Sequence, residues 1–90
     1  MKTKLKKYLI DEVKRCGGLC LKWTSPNARG VPDRIVILPG GAIYFIELKA
    51  PNGTYVALQK HCKKTLEELG CRAYGLYSVE VVKRWLDEKI

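Results

Sequence analysis

The segment Ala42 to Lys49, with IYFIEL at its heart, lies between the glycine turns Pro39-Gly40-Gly41 and Pro51-Asn52-Gly53. A run of β-branched and aromatic residues between such turns predicts a strand. Strand alternation puts Ile43 and Phe45 on one face with Glu47 and Lys49, and Tyr44, Ile46 and Leu48 on the other. A strand that is apolar on both sides is expected to be central in a sheet and covered on both sides. Glu47 and Lys49 then stand at its end, where the core opens. Charges in that position cost free energy unless they are paired, hydrogen-bonded or bound to a metal. The rest of the chain therefore has to supply neighbouring strands and helical layers around one charged strand end.

It has the pieces to do so. Residues 3 to 16 read as a helix, with Leu5, Leu9, Val13 and Cys16 on one stripe and Gly17-Gly18 as its stop. Leu19 to Thr24 is a short strand, and Ser25 to Gly30 a loop. Asp33 to Leu38 is a second strand, rich in Ile and Val. A second helix runs from about Val56 to Leu69, with Leu58, Cys62, Leu66 and Leu69 on one stripe and Gly70 closing it. Arg72 to Tyr77 is a fourth strand. Ser78 caps a last helix whose buried side is Val81 or Val82 with Trp85 and Leu86. The order α-β-β-β-α-β-α, without repeat or linker, gives an α/β fold in a single domain over residues 1–90.

The turn sets the register. A three-residue loop at Pro39-Gly40-Gly41 puts Leu38 opposite Ala42 and, further along, Asp33 opposite Glu47. Directly opposed side chains share a face with Cβ atoms about 4.5–5.5 Å apart. Lys49, two residues beyond Glu47, joins them there. A loop one residue shorter or longer would send Asp33 to the other face. Two carboxylates so close repel, so one takes up a proton or a cation sits between them. Mg²⁺ suits such a place, being commonly held by one or two carboxylates plus a substrate phosphate. Lys49 beside it can orient a water or offset charge, and the ensemble fits phosphodiester hydrolysis.

The charge agrees. Lys plus Arg number 17 against 9 Asp plus Glu, a net +8 on 90 residues, which favours a polyanionic partner. Arg29, Arg34, Lys60, Lys63 and Lys64 are candidates to touch phosphates, and Trp23, Tyr55 and Tyr74 to stack on bases. His61 is read as exposed. No apolar run approaches the roughly 18 residues of a membrane span, and the N-terminal MKTKLKKYLIDEVK lacks the form of a secretory signal. Cys16, Cys20, Cys62 and Cys71 lack paired zinc-ligand spacing, so they read as reduced thiols of a cytoplasmic protein, with a small zinc protein as the competing reading.

Taken together, Gly30-Val31-Pro32-Asp33-Arg34, Gly40-Gly41, Ile46-Glu47-Leu48-Lys49-Ala50-Pro51 and Gln59 resemble the VRR-Nuc family, the virus-type replication-repair branch of the PD-(D/E)xK nucleases. Pro32-Asp33 matches the PD half, Glu47-Leu48-Lys49 the ExK half, and Gln59 the glutamine of this branch. The resemblance runs from about Lys4 to Trp85. It implies a restriction-endonuclease-like αβββαβ core, a mixed sheet flanked by helices with a C-terminal helix added. It further implies an endonuclease dependent on Mg²⁺ or Mn²⁺, held by Asp33, Glu47 and the backbone carbonyl of Leu48. Lys49 is then the catalytic lysine and Gln59 its support. Small stand-alone phage members act as homodimers on branched DNA such as four-way junctions, which implies a phage- or prophage-encoded protein of the bacterial cytosol. One departure concerns the acid that the family often carries on its first helix: Lys6 and Lys7 stand in that neighbourhood, and Glu12 is the nearest inward-facing substitute. The alternatives are a nuclease subunit that cuts linear duplex and a basic binding module without catalysis.

Overall fold

A computed structural model describes residues 2–25, 30–49 and 56–89. Three helices and four strands follow in the order α1 (Lys2–Arg15), β1 (Leu19–Lys22), β2 (Arg34–Leu38), β3 (Ala42–Leu48), α2 (Ala57–Glu68), β4 (Ala73–Leu76) and α3 (Val79–Lys89). Both α1 and α2 end in paired backbone bonds around a glycine. Gly17 N donates to Lys14 O and Gly18 N to Val13 O; Gly70 N donates to Glu67 O and Cys71 N to Leu66 O. Gly17 and Gly70 take positive φ there, at 86° and 90°. This satisfies carbonyls that the helix end would otherwise leave open. At the start of α3, Ser78 Oγ accepts from Val81 N at 3.1 Å, the cap expected of it.

The strands form one mixed sheet in sequence order, antiparallel except where β3 and β4 run parallel. That parallel pair is joined through α2, as a crossover requires. The β2–β3 register is the one the turn predicts, Leu38 opposite Ala42 through to Arg34 opposite Ile46. Gly41 N closes the turn onto Leu38 O at 3.0 Å, with Pro39 and then Gly40 (φ 94°) at its two corners.

The core lies on one face of the sheet. Leu5, Leu9 and Val13 of α1 and Val82, Trp85 and Leu86 of α3 pack there against Val36, Leu38, Tyr44, Ile46, Leu48 and Leu76. The even-numbered side chains of β2 and β3 are thus the buried set. Tyr44, Tyr74 and Trp85 form an aromatic cluster within it, the Tyr44 and Trp85 rings meeting edge to face at 5.1 Å. This places Trp85 in the core, and makes Tyr74 a packing residue rather than a free stacking platform.

Two expectations need correction. The second face of the sheet is not fully covered: Ile43 is 47% exposed. Nor does the apolar stripe of α2 become core, since α2 has no buried residue and Leu58 and Leu69 are 51% and 76% exposed. The reason is what α2 turns toward the sheet. Gln59, Cys62, Lys63 and Leu66 are its half-buried residues, and Gln59 engages the charged strand end by hydrogen bonds rather than apolar packing. Among the described residues no helix is long and apolar enough to cross a membrane.

Candidate active site

The charged end of β3 is buried by the layer above it. Glu47 is 3% and Lys49 8% exposed, the two buried charged side chains among the described residues. Both belong to the face opposite the core, the face crossed by α2. Opposite Glu47 on β4 is Gly75, which places no side chain beside the carboxylate. Lys49 Nζ lies 3.9 Å from Glu47 Oε2, too far for a strong direct bond.

Gln59 binds the two together. Its Nε2 donates to Glu47 Oε2 at 2.9 Å, and its Oε1 accepts from Lys49 Nζ. The same Oε1 accepts from Val56 N at 3.1 Å, the backbone amide that precedes α2. An ammonium only donates and a carboxylate only accepts, so the amide can face them in one orientation alone. Gln59 in this way ties the first turn of α2 to the end of β3.

Asp33 reaches the site by a different route from the one its register suggests. It stands one residue before β2, and its Oδ2 accepts from Leu48 N at 2.8 Å. Its own carbonyl accepts from Trp23 N at 3.0 Å, and the Trp23 ring packs on Phe45 at 5.2 Å. The carboxylate is thus fastened to the backbone between Glu47 and Lys49. A strand residue directs its amide and carbonyl to the same side. The Leu48 carbonyl therefore faces the edge where Asp33 stands.

The remaining candidates divide. Lys60 and Lys64 are exposed on α2, Lys63 is paired with Glu67 at 2.6 Å, and His61 is exposed. Arg34 follows the even alternation onto the core side of the sheet, where its charge acts on Cys20; it does not join the pocket. Arg29 and Tyr55 lie outside the described residues. Glu12 is held by Arg15, whose Nη2 donates to Glu12 Oε1, and this bond holds its carboxyl below the usual range. No third His, Cys, Asp or Glu joins a cluster among the described residues, so Glu12 does not complete a triad with Asp33 and Glu47 and the four cysteines do not converge. One neighbour was not anticipated as part of the site. Cys62, one helical turn after Gln59, has its thiol pushed up by burial and then by the charge of Glu47. Its spacing from Gln59 carried that information.

The groups at this strand end that could hold a cation offer oxygen alone, two carboxylates and a carbonyl. Such a set suits a hard divalent ion, which keeps waters and shares a substrate phosphate.

No protein-family model matches the chain. A solved structure described as a VRR_NUC domain superposes with a TM-score of 0.92 at 26% identity, covering 99% of this chain and 97% of that one. The chain belongs to the VRR-Nuc family. A phage protein named "Putative nuclease p44", from Acyrthosiphon pisum secondary endosymbiont phage 1, is similar at 46% identity over 61 residues. That match spans 66% of this chain and 66% of the relative. A VRR-Nuc chain of this kind has the mixed four-stranded sheet flanked by helices seen here.

Proposed function

We propose that the protein is a divalent-metal-dependent endonuclease that hydrolyses phosphodiester bonds in branched DNA, four-way junctions included, and works as a homodimer in the bacterial cytosol. The observation that carries the chemistry is the gathering of Glu47 and Lys49, bridged by Gln59, with Asp33 bonded to the backbone between them. Asp33, Glu47 and the Leu48 carbonyl are the residues that would hold Mg²⁺ or Mn²⁺. When bound, such an ion supplies Lewis-acid polarisation of the phosphate and a more acidic water.

The protein's own groups do the rest. Lys49 presents its ammonium where negative charge gathers on the phosphate, and Gln59 fixes its direction in advance. Glu47, held through one oxygen by Gln59, accepts a proton or orients water with the other. Lys60 and Lys64 are exposed on the helix that carries Gln59, and they would follow the backbone of the substrate. Such contacts to phosphates read the course of the backbone rather than base edges, which suits recognition of a branch by shape. Symmetrical cutting of a four-way junction takes two active sites and hence a two-fold dimer.

The test is a cleavage panel of four-way junction, flap, splayed arm and linear duplex, each with Mg²⁺, with Mn²⁺ and with EDTA. Preferred, metal-dependent cutting of branched substrates is expected. Cleavage that survives EDTA removes the metal mechanism. Faster cutting of linear duplex removes the branch selectivity, and metal-independent binding without cleavage makes the protein a binding module.

A further inference from the structure

The segment that leads into β2 meets the helix that carries Gln59 at Gly30. This residue takes φ 80°, and a β-carbon placed on it would lie 2.5 Å from Leu58 O, 2.6 Å from Leu58 C and 3.0 Å from Gln59 N. Those three atoms are one peptide unit, the one that joins Leu58 to Gln59 in the first turn of α2. Gly30 thus lies bare against the backbone from which the bridging side chain springs. Gly40, Gly41 and Gly70 also take positive φ, but a β-carbon on any of them would meet nothing within 4 Å. There the dihedral alone calls for glycine. At Gly30 the space calls for it as well, as where one backbone must approach another closely.

We infer that Gly30 is a positioning residue for the chemistry proposed above, on which this reading rests. By admitting the Leu58–Gln59 peptide to contact, it seats α2 close enough to the sheet for Gln59 to hold Glu47 and Lys49 beside Asp33. Two routes lead into the site, and Gly30 joins them. One is the segment Gly30-Val31-Pro32-Asp33, in which Pro32 is buried with a fixed φ. It ends at Asp33, whose carboxylate accepts from Leu48 N and whose carbonyl accepts from Trp23 N. The other is the first turn of α2, from which Gln59 reaches Glu47 Oε2 at 2.9 Å and Lys49 Nζ. A spacer with the thickness of a glycine sets the distance between the two.

The size of the effect follows from the contact. Non-bonded heavy atoms rest about 3.5–4.0 Å apart, so a side chain at residue 30 would drive α2 outward by about 1 Å. The bond from Gln59 to Glu47 does not survive such a shift, since 2.9 Å would become a distance beyond hydrogen bonding. A displacement of about 1 Å in a supporting group can cost a reaction about 10²-fold. The core is spared, because α2 has no buried residue and the core lies on the other face of the sheet.

The test separates the dihedral from the space. Asn tolerates positive φ better than most residues, so Gly30→Asn keeps the backbone conformation and adds the β-carbon. Gly70→Asn, at φ 90° with open space around it, is the control. The first readout is the NMR spectrum of the full chain without DNA or metal. Gly30→Asn should move the side-chain amide signals of Gln59 and the signal of Val56 N–H, whose acceptor is Gln59 Oε1. Gly70→Asn should leave them in place. The second readout is single-turnover cleavage of a four-way junction. Gly30→Asn should be about 10–100-fold slower, the loss expected when a supporting group lets go of a ligand. It should slow Gln59→Ala no further, because both changes break the same bridge.

Unmoved Gln59 signals in Gly30→Asn would overturn the inference, as would full additivity with Gln59→Ala. An equal effect of Gly70→Asn would do the same by assigning the loss to the dihedral. Far-UV circular dichroism of Gly30→Asn should match the parent, and an unfolded variant would refute the separation of this seat from the core. A wild-type chain that cuts no DNA would sink the proposed chemistry, while the spectra would still decide whether Gly30 seats Gln59.

Discussion

Gln59 shows what a single amide can do when its two ends are not interchangeable. Its oxygen meets donors, Lys49 Nζ and Val56 N, and its nitrogen meets the Glu47 carboxylate. Gln59→Glu keeps the size but turns an acceptor toward Glu47, so the pair becomes repulsive unless one acid takes up a proton. Cleavage should fall about 10–100-fold, the usual loss for a group that orients a catalytic ligand. Activity should recover in part as pH falls and that shared proton is gained, a shift that a merely structural glutamine would not produce. Lys49→Met keeps the stem and removes the charge, and should lower cleavage by about 10²–10³-fold, as loss of a charge-stabilising donor does. Single-turnover kinetics on a pre-bound junction measure both; parental rates in either variant would remove that residue from the site. The shared face of Glu47 and Lys49 was legible in the strand period, and the register that carries Asp33 to that strand end in the turn length. The bond from Leu48 N to Asp33 was not, since it depends on β2 ending one residue short of Asp33. Nor was the bond from Val56 N, because a backbone amide leaves no trace in a side-chain pattern.

At the scale of elements, the hairpin and the helix stops followed from glycine placement, while the burial of α2 did not. An apolar stripe predicts a face but not what that face meets. Here Leu58 and Leu69 miss the sheet because Gln59 draws the helix onto the charged strand end. α2 is also poorly capped. Val56 stands at its N-cap with no side-chain oxygen to offer, and only the reach-back from Gln59 satisfies its amide. Val56→Ser, at a position 60% exposed, supplies the missing acceptor. It should add about 0.5–1 kcal/mol, near the lower range of measured caps. α3 offers the opposite change. Ser78→Ala removes an existing cap bond and should cost about 1 kcal/mol. For a domain of this size that is a drop of about 4–8 °C in Tm. Because α3 packs on the core face, cleavage at a permissive temperature should be unaffected. Thermal melts of the two variants should move in opposite directions; a shared direction would contradict the caps as described.

For the whole molecule, net charge and the division of the sheet into two faces act together. The sequence charge of +8 announces a polyanion but does not say which side meets it. The sheet supplies the direction: Lys60 and Lys64 are exposed on the helix over the site, whereas Arg34 belongs to the other face. Strand parity was readable for Arg34, since alternation sets it with Val36 and Leu38 and away from Glu47 and Lys49. Salt dependence separates the two cases, since removing one cation from a phosphate lowers the slope of log affinity against log salt by about one. Lys60→Gln with Lys64→Gln should therefore lower the slope by about two. Arg34→Gln should leave it unchanged. Fluorescence anisotropy with a labelled four-way junction and cleavage-dead Lys49→Met protein gives both slopes over one salt series. An equal drop with Arg34→Gln would mean that DNA wraps the sheet end and reaches the core side. An unchanged slope in the double lysine variant would mean that the backbone leaves the site by a path other than α2.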